Sequence, residues 1–201
     1  MNQRFVWNNL ANSWNNFRQK PIKGLKEFKD YIKGRSLFIG CGNGRNFTVF
    51  KNIKIFGIDF SENMIYNAIK TSKKNRIDAH FIVGNENLPF RDNFFDSIVF
   101  LSSLQCMKNR AHALNECKRV LKEDGIILIS VWNRWQWRFF PKNIFTSEFF
   151  IKWRKKDSTY YRYYHLYSKN EIEKEMKMFK IEKVKIVNGN IFILGIKTNT
   201  P

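Results

Sequence analysis

The sequence predicts an α/β fold: a doubly wound, mostly parallel seven-stranded sheet that ends in an antiparallel hairpin. Three observations predict it. Short apolar runs alternate with helical patterns along most of the chain, as strand–crossover–strand units do. One run, Leu37-Phe38-Ile39, leads straight into Gly40-Cys41-Gly42-Asn43-Gly44, where glycines permit a tight turn and close backbone approach to a ligand. Near the end of the chain, Asn188-Gly189 separates two β-rich runs, a strong hairpin signal. Together these describe a Rossmann-like sheet.

The elements follow in order. From about Arg4 to Lys33 the chain reads as two short helices broken at Pro21. Ser36–Ile39 is the first strand, and a helix of about Asn46–Lys51 follows the glycines. Ile53–Ile58 is the second strand, and Ser61 suits the N-cap of a helix running to about Lys73. Ala79–Val83 and Phe95–Leu101 are the third and fourth strands, the latter apolar on both faces as a buried parallel strand should be. A helix over Ala111–Leu121, closed by Lys122-Glu123-Asp124-Gly125, precedes a fifth strand at Ile126–Trp132. After a helix of about Lys169–Phe179, the runs Ile181–Val187 and Ile191–Lys197 form the hairpin.

A chain of 201 residues is expected to form one domain over 1–201, with N-terminal helices over 1–35 and an aromatic, basic insertion over 133–167. No apolar run is long enough to span a bilayer, and Met1-Asn2-Gln3-Arg4 lacks the apolar core of a signal peptide. Cys41, Cys106 and Cys117 fall at no metal-ligand spacing and read as free thiols of a cytoplasmic protein. The formal net charge of +19 favours a polyanionic partner, nucleic acid above all. The plainer alternative is a compositional bias in Lys, Asn, Ile and Phe. An anionic membrane surface would also attract this charge, but no strongly amphipathic basic helix stands out.

Asp59 ends the second apolar run, placing a carboxylate with two acceptor oxygens at a strand tip, where it suits two ribose hydroxyls. The glycine spacing is G-x-G-x-G rather than the G-x-G-x-x-G of nicotinamide-binding turns, and points toward S-adenosylmethionine.

Over nearly its whole length the chain resembles class I methyltransferases. The matching strings are Phe38-Ile-Gly-Cys-Gly-Asn-Gly44, Gly57-Ile-Asp-Phe-Ser-Glu-Asn-Met64, Asn87-Leu-Pro-Phe90, Phe95-Asp-Ser-Ile-Val99 and Arg119-Val-Leu-Lys-Glu-Asp-Gly125. The resemblance implies S-adenosylmethionine held by Gly40, Cys41, Gly42, Asn43, Gly44, Asp59, Phe60, Asn85 and Glu86. It departs from the family at Phe38, where an acid usually orients the methionine amino group, and at Asn85, where an Asp usually takes the adenine amino group. An Asn carbonyl still accepts that bond.

Arg162-Tyr-Tyr-His-Leu-Tyr167, ahead of Ser168-Lys-Asn-Glu-Ile-Glu173, resembles the tRNA methyltransferases that esterify the carboxymethyl group of wobble uridine. Val6-Trp-Asn-Asn-Leu-Ala11, Asn16-Phe-Arg-Gln-Lys-Pro21, Trp132 with Gln136, and Asn190-Ile-Phe192 extend the likeness. It implies tRNA as substrate and a small zinc-binding activator protein that adds a strand beside Ala79–Val83. It also implies that Arg18 and Arg162 grip the acceptor carboxylate, a task that suits Arg, while Tyr163 and His165 hold the base. No metal is implied in the chain itself.

Structural roles compete for several of these residues. One or more of Tyr163, Tyr164 and Tyr167 can be core, His165 can be a hydrogen-bonded structural histidine, and Gln105 replaces a histidine frequent in relatives. In the insertion, Trp132, Trp135, Trp137, Phe139 and Phe140 interleave with Arg134, Arg138 and Lys142, which suits stacking on RNA bases or the packing of a lid helix. Lys152, Arg154, Lys155 and Lys156 read as phosphate contacts or as a solvated basic loop. The rival functions are a methyltransferase of quinone or lipid precursors and a non-catalytic RNA-binding protein of the same fold.

Overall fold

The computed structural model describes residues 2–155 and 158–198, so Lys156 lies outside the described residues. Helix α1 (Gln3–Phe17) opens the chain, capped by the Asn2 side chain, which accepts the backbone N–H groups of Arg4 and Phe5. A 3-10 turn over Leu25–Tyr31 leads to β1 (Arg35–Ile39). Then come β2 (Lys54–Asp59), α2 (Glu62–Asn75), β3 (Ala79–Val83), β4 (Phe95–Leu101), α3 (Arg110–Val120) and β5 (Leu121–Trp132). The chain continues through the short α4 (Lys142–Phe145), β6 (Glu148–Lys155), β7 (Ser158–His165), α5 (Lys169–Glu175), β8 (Lys180–Val187) and β9 (Asn190–Ile196).

Seven strands form one sheet in the order β3-β2-β1-β4-β5-β9-β8. β1 to β5 run parallel, and β9 is antiparallel to both of its neighbours. Asn188 and Gly189 join β8 to β9 with φ of +48° and +75°, the positive pair that a type I′ turn demands. Side-chain alternation divides the core between the two sheet faces. Leu37, Ile98, Phe100 and Ile129 pack with Leu114 and Cys117 of α3 and Ile172 of α5. Phe38, Val99, Leu128 and Phe192 pack on the other face with Leu25, Phe28 and Phe47. Burial on both faces explains why β4 reads as an unbroken apolar run.

Several predicted elements differ: the second N-terminal helix is the 3-10 turn Leu25–Tyr31, and β5 begins at Leu121 rather than Ile126, taking in the residues expected to close the preceding helix. The helix expected after the glycines is only a 3-10 turn, Phe47–Val49. Five residues go to the glycine turn, and burial of Phe47, Val49 and Phe50 folds the remainder onto the sheet. The last helix stops at Glu175, and the following turn buries Met176 and Phe179. The insertion is no lid helix: beyond short turns and α4, β6 and β7 make a separate antiparallel hairpin. Its aromatics follow period two, which is strand periodicity. Phe149, Ile151, Trp153 and Tyr164 point inward, while Phe150, Lys152 and Arg154 point out.

Candidate active site

The site lies at the carboxyl ends of the parallel strands, beside the β1/β4 switch point where open α/β sheets bind ligands. Backbone bonds tie these ends together. The Cys41 N–H donates to the Ile58 carbonyl at 3.0 Å, and the Gly84 N–H to the Asp59 carbonyl at 3.0 Å. In the loop after β1, a Cβ on Gly40 would sit 2.4 Å from Ser103 Cβ, and one on Gly44 2.7 Å from the Phe47 ring. A Cβ on Gly42 would meet nothing within 4 Å. Gly42, at φ +56°, instead faces a cavity of about 370 Å³.

Asp59 is 6% exposed and holds the loop to β2. Its Oδ2 accepts the Gly42 N–H and its Oδ1 the Ser61 N–H, both at 2.9 Å. Burial pushes its carboxyl up to about 6, against the pull of those two bonds. Each oxygen keeps acceptor capacity for a further donor. Gly40, Cys41, Asn43, Phe60, Asn85 and Glu86 line the same cavity, whereas Gly44 packs behind it. Asn85 Oδ1 accepts the Asn87 N–H at 3.1 Å, closing a local turn. Phe38 belongs to the core, edge-on to Phe47 and Phe50. The cations of the lining are Arg45 and Lys108. Burial, then the nearby Arg18, holds the Arg45 guanidinium down at about 10.

Helix α1 roofs this cavity with Gln3, Trp7 and Trp14. Asn43 fixes it there: its buried Nδ2 donates to Asn15 Oδ1 at 2.8 Å and to the Arg18 carbonyl at 2.9 Å. The opposite end of the helix is held by Gln3, whose Oε1 accepts the Tyr163 N–H at 3.0 Å. Neither the brace from Asn43 nor the roofing role of Trp7 and Trp14 was legible in the sequence, because both join segments distant along the chain.

A second, more open cavity of about 1000 Å³ adjoins the first and shares Trp7, Trp14, Arg45 and Ser102 with it. Three guanidinium groups and three aromatic rings form a run here: Trp14, Arg18, Trp132, Arg138 and Tyr164 line the second cavity, whereas Arg162 lines neither cavity and is buried against Trp7, Trp14, Trp153 and Tyr164. Arg138 lies 4.3 Å from the Trp132 ring, which stacks on Tyr164 at 4.5 Å and 8°. Arg162 Nη1 donates to the Tyr164 hydroxyl at 2.9 Å. Arg162 and Arg18 each lie 5.4 Å from the Trp14 ring. Arg162 is 5% exposed, and its Nε, like that of Arg18, is buried without a partner. Among the described residues none of the three arginines forms an ion pair. Burial, then the fields of Arg18 and Arg162, hold Arg138 below the usual range, partly opposed by Tyr164. Tyr164 and Arg138, not among the four residues expected from the sequence, thus line the second cavity.

The remaining expected residues divide. Tyr163 lines the first cavity, with its hydroxyl pushed up to about 12 by burial and by Glu148. His165 lines neither cavity. Its Nδ1 is 2.7 Å from Glu148 Oε1 and its Nε2 2.6 Å from Glu171 Oε1, which locks β6, β7 and the start of α5 together. Both ring nitrogens are thus committed to carboxylates rather than turned to a cavity. Gln105 is buried, its Oε1 accepting the Trp132 N–H at 2.5 Å. Gln136 braces the β8–β9 turn by donating to the Gly189 carbonyl at 2.8 Å.

The strand order, the antiparallel closure and the glycine loop facing a buried strand-end acid define the class I methyltransferase architecture. The family model described as methyltransferase domain matches residues 37–129. The uncharacterized protein MJ1123 of Methanocaldococcus jannaschii is 32% identical over 167 residues, covering 83% of this chain and 73% of that protein. The tRNA (carboxymethyluridine(34)-5-O)-methyltransferase alkbh8 of Xenopus tropicalis is 29% identical over 132 residues, covering 63% of this chain but only 20% of that longer protein. In fold, the chain is similar to the methyltransferase in a complex with the Haloferax volcanii Trm112 methyltransferase activator. The TM-score is 0.75 at 15% identity, covering 100% of this chain and 99% of that one. Residues 37–129 are a methyltransferase domain, and that match implies S-adenosylmethionine as the cofactor. The cavity fits that group, being open at Gly42 and offering free acceptor capacity on Asp59. No helix among the described residues is long and apolar enough to cross a membrane.

Proposed function

We propose that this enzyme methylates tRNA, converting the 5-carboxymethyl group of wobble uridine 34 to its methyl ester. The observation that carries the reading is the run Arg138–Trp132–Tyr164–Arg162–Trp14–Arg18 beside the cofactor cavity, with no carboxylate paired to any of its arginines among the described residues. Arg162 is the buried member of the run, and a buried charge costs several kcal/mol unless it is compensated. Aromatic faces supply part of that compensation, and an arriving anion would supply the rest. The name of the Xenopus relative supports a carboxymethyluridine as that anion, and the net charge of +19 supports a polyanionic carrier.

The chemistry fits these side chains. A carboxylate acceptor is already ionised at neutral pH, so no general base is needed, and the protein's task is placement. Arg162 and Arg18 would grip the carboxylate through one oxygen and leave the other free to react, with Arg138 at the mouth. Trp132 and Tyr164 would stack the base. Asp59 would hold the ribose hydroxyls of the cofactor, with Phe60, Asn85 and Glu86 at its adenine end. The backbone of Gly40, Cys41 and Gly42 would lie along it, and Arg45 or Lys108 would meet its carboxylate. Bound S-adenosylmethionine supplies an electrophilic methyl group on a sulfonium centre.

The reading includes an activator protein. β3 is a free edge of the sheet, with Val83 exposed on it, and such an edge accepts an added strand. The complex in which the structurally similar methyltransferase was solved supports such a partner. Transfer of labelled methyl to tRNA, followed by alkali, tests the proposal. Release of the label as methanol is the expected result, and label that resists alkali contradicts a carboxylate acceptor.

A further inference from the structure

Between β5 and β6, large apolar side chains face solvent. Trp137 is 86% exposed and Phe145 84%, and Trp135, Phe140 and Ile144 are each more than half exposed. Exposed apolar clusters of this kind mark interaction sites. The Trp137 and Phe140 rings stand 5.4 Å apart. No Asp or Glu occurs from residue 125 to 147, whereas Arg134, Arg138 and Lys142 do. The platform is continuous with the acceptor cavity. Arg138, the neighbour of Trp137 in the Trp137–Phe139 turn, lies over Trp132 on the cavity wall.

We propose that Trp137 and Phe140 form a stacking platform for the unpaired RNA bases that flank the methyl acceptor. The proposal rests on the tRNA reading above and adds to it how the loop is held around the reacting nucleotide. Aromatic rings stack on any base, so such a platform holds a loop without reading its sequence. The interleaved cations, with no acid among them, suit the phosphates between those bases. The same charge pattern disfavours a basic protein surface as occupant.

The test uses the full chain, with its activator where activity requires one, as native protein and as the Trp137→Ala/Phe140→Ala double variant. Both residues are exposed and outside the cofactor cavity, so S-adenosylhomocysteine affinity and kcat are expected to stay native. The KM for tRNA should rise by about tenfold for each base deprived of its aromatic ring. A fluorescein-labelled single-stranded oligoribonucleotide should bind the double variant more weakly by a similar factor. Trp137→Phe, which keeps a ring, should retain most of the native KM. An unchanged KM in the double variant of an enzyme that does methylate tRNA overturns the platform alone. Loss of vesicle or activator binding with tRNA KM intact assigns the patch to those partners and also overturns it. If the native protein transfers no methyl to tRNA, the tRNA reading falls and the platform with it.

Discussion

Asp59→Asn removes a charge whose burial works against the fold. In the unfolded chain this carboxyl titrates near 3.8; in the folded protein burial lifts it to about 6. The folded state therefore binds the proton more tightly than the unfolded state. With a raised folded pKa, the stability this group contributes is fully present below about pH 4 and is lost as pH rises through 6. The gap between the two values corresponds to about 3 kcal/mol, of which about 2.5 kcal/mol is expressed between pH 4 and pH 8. Asparagine does not titrate, but its one acceptor oxygen replaces two, and the N–H groups of Gly42 and Ser61 compete for it. That loss costs about 1–2 kcal/mol at every pH. Asp59→Asn should accordingly be less stable than the native protein at pH 4 and equal or slightly more stable at pH 8. Asp96, Glu116 and Glu148, which are held low by Lys122, Arg119, Tyr163 and His165, titrate in both proteins and cancel in the comparison. Urea denaturation without cofactor, at both pH values, measures the difference. A difference that stays flat to within about 0.5 kcal/mol from pH 4 to pH 8 refutes the reasoning, since about 2.5 kcal/mol is expected. Calorimetry at pH 8 should find S-adenosylhomocysteine binding lost in the same variant.

Three further outcomes follow from the geometry. Gly42→Ala should cost about 1–2 kcal/mol for its left-handed backbone, and its methyl, projecting into the cavity, should weaken cofactor binding far more than this loss of stability explains. Thermal melting and calorimetry read the two effects separately. Asn43→Ala leaves the half-buried Arg18 carbonyl without its Asn43 donor and should destabilise by about 1–2 kcal/mol, with faster amide exchange in α1 than in β1. His165→Ala removes the shared partner of Glu148 and Glu171. Both carboxylates are partly solvated, so a loss of about 1–2 kcal/mol is expected; thermal melting should report it, while cofactor affinity stays native.

The parallel sheet was legible because each strand is buried on both faces or bounded by turn residues, and Ala79–Val83 and Phe95–Leu101 fall at their predicted bounds. The helix after the glycines misled because Phe47, Val49 and Phe50 are apolar at helical spacing but serve as plugs for one sheet face. Gly42 and Asp59 could be read from the sequence, since a turn and a strand tip are local features. The brace from Asn43 to the end of α1 and the stacking of Tyr164 on Trp132 could not be read, because each joins residues far apart along the chain. Within the string Arg162–Tyr167, residue type alone could not separate Tyr163, which lines the cofactor cavity, from His165, which is committed to Glu148 and Glu171.

The most direct measurement compares the native enzyme with Arg162→Gln in methyl transfer to the same tRNA, with nucleoside mass spectrometry to map the product. The native enzyme should form an alkali-labile ester at the wobble uridine. Arg162→Gln should lose about a hundredfold or more in turnover while binding S-adenosylhomocysteine with native affinity. Equal turnover by the two proteins, or a methyl group on a nucleoside that carries no carboxylate, would contradict the assignment of the arginine–aromatic run to the acceptor.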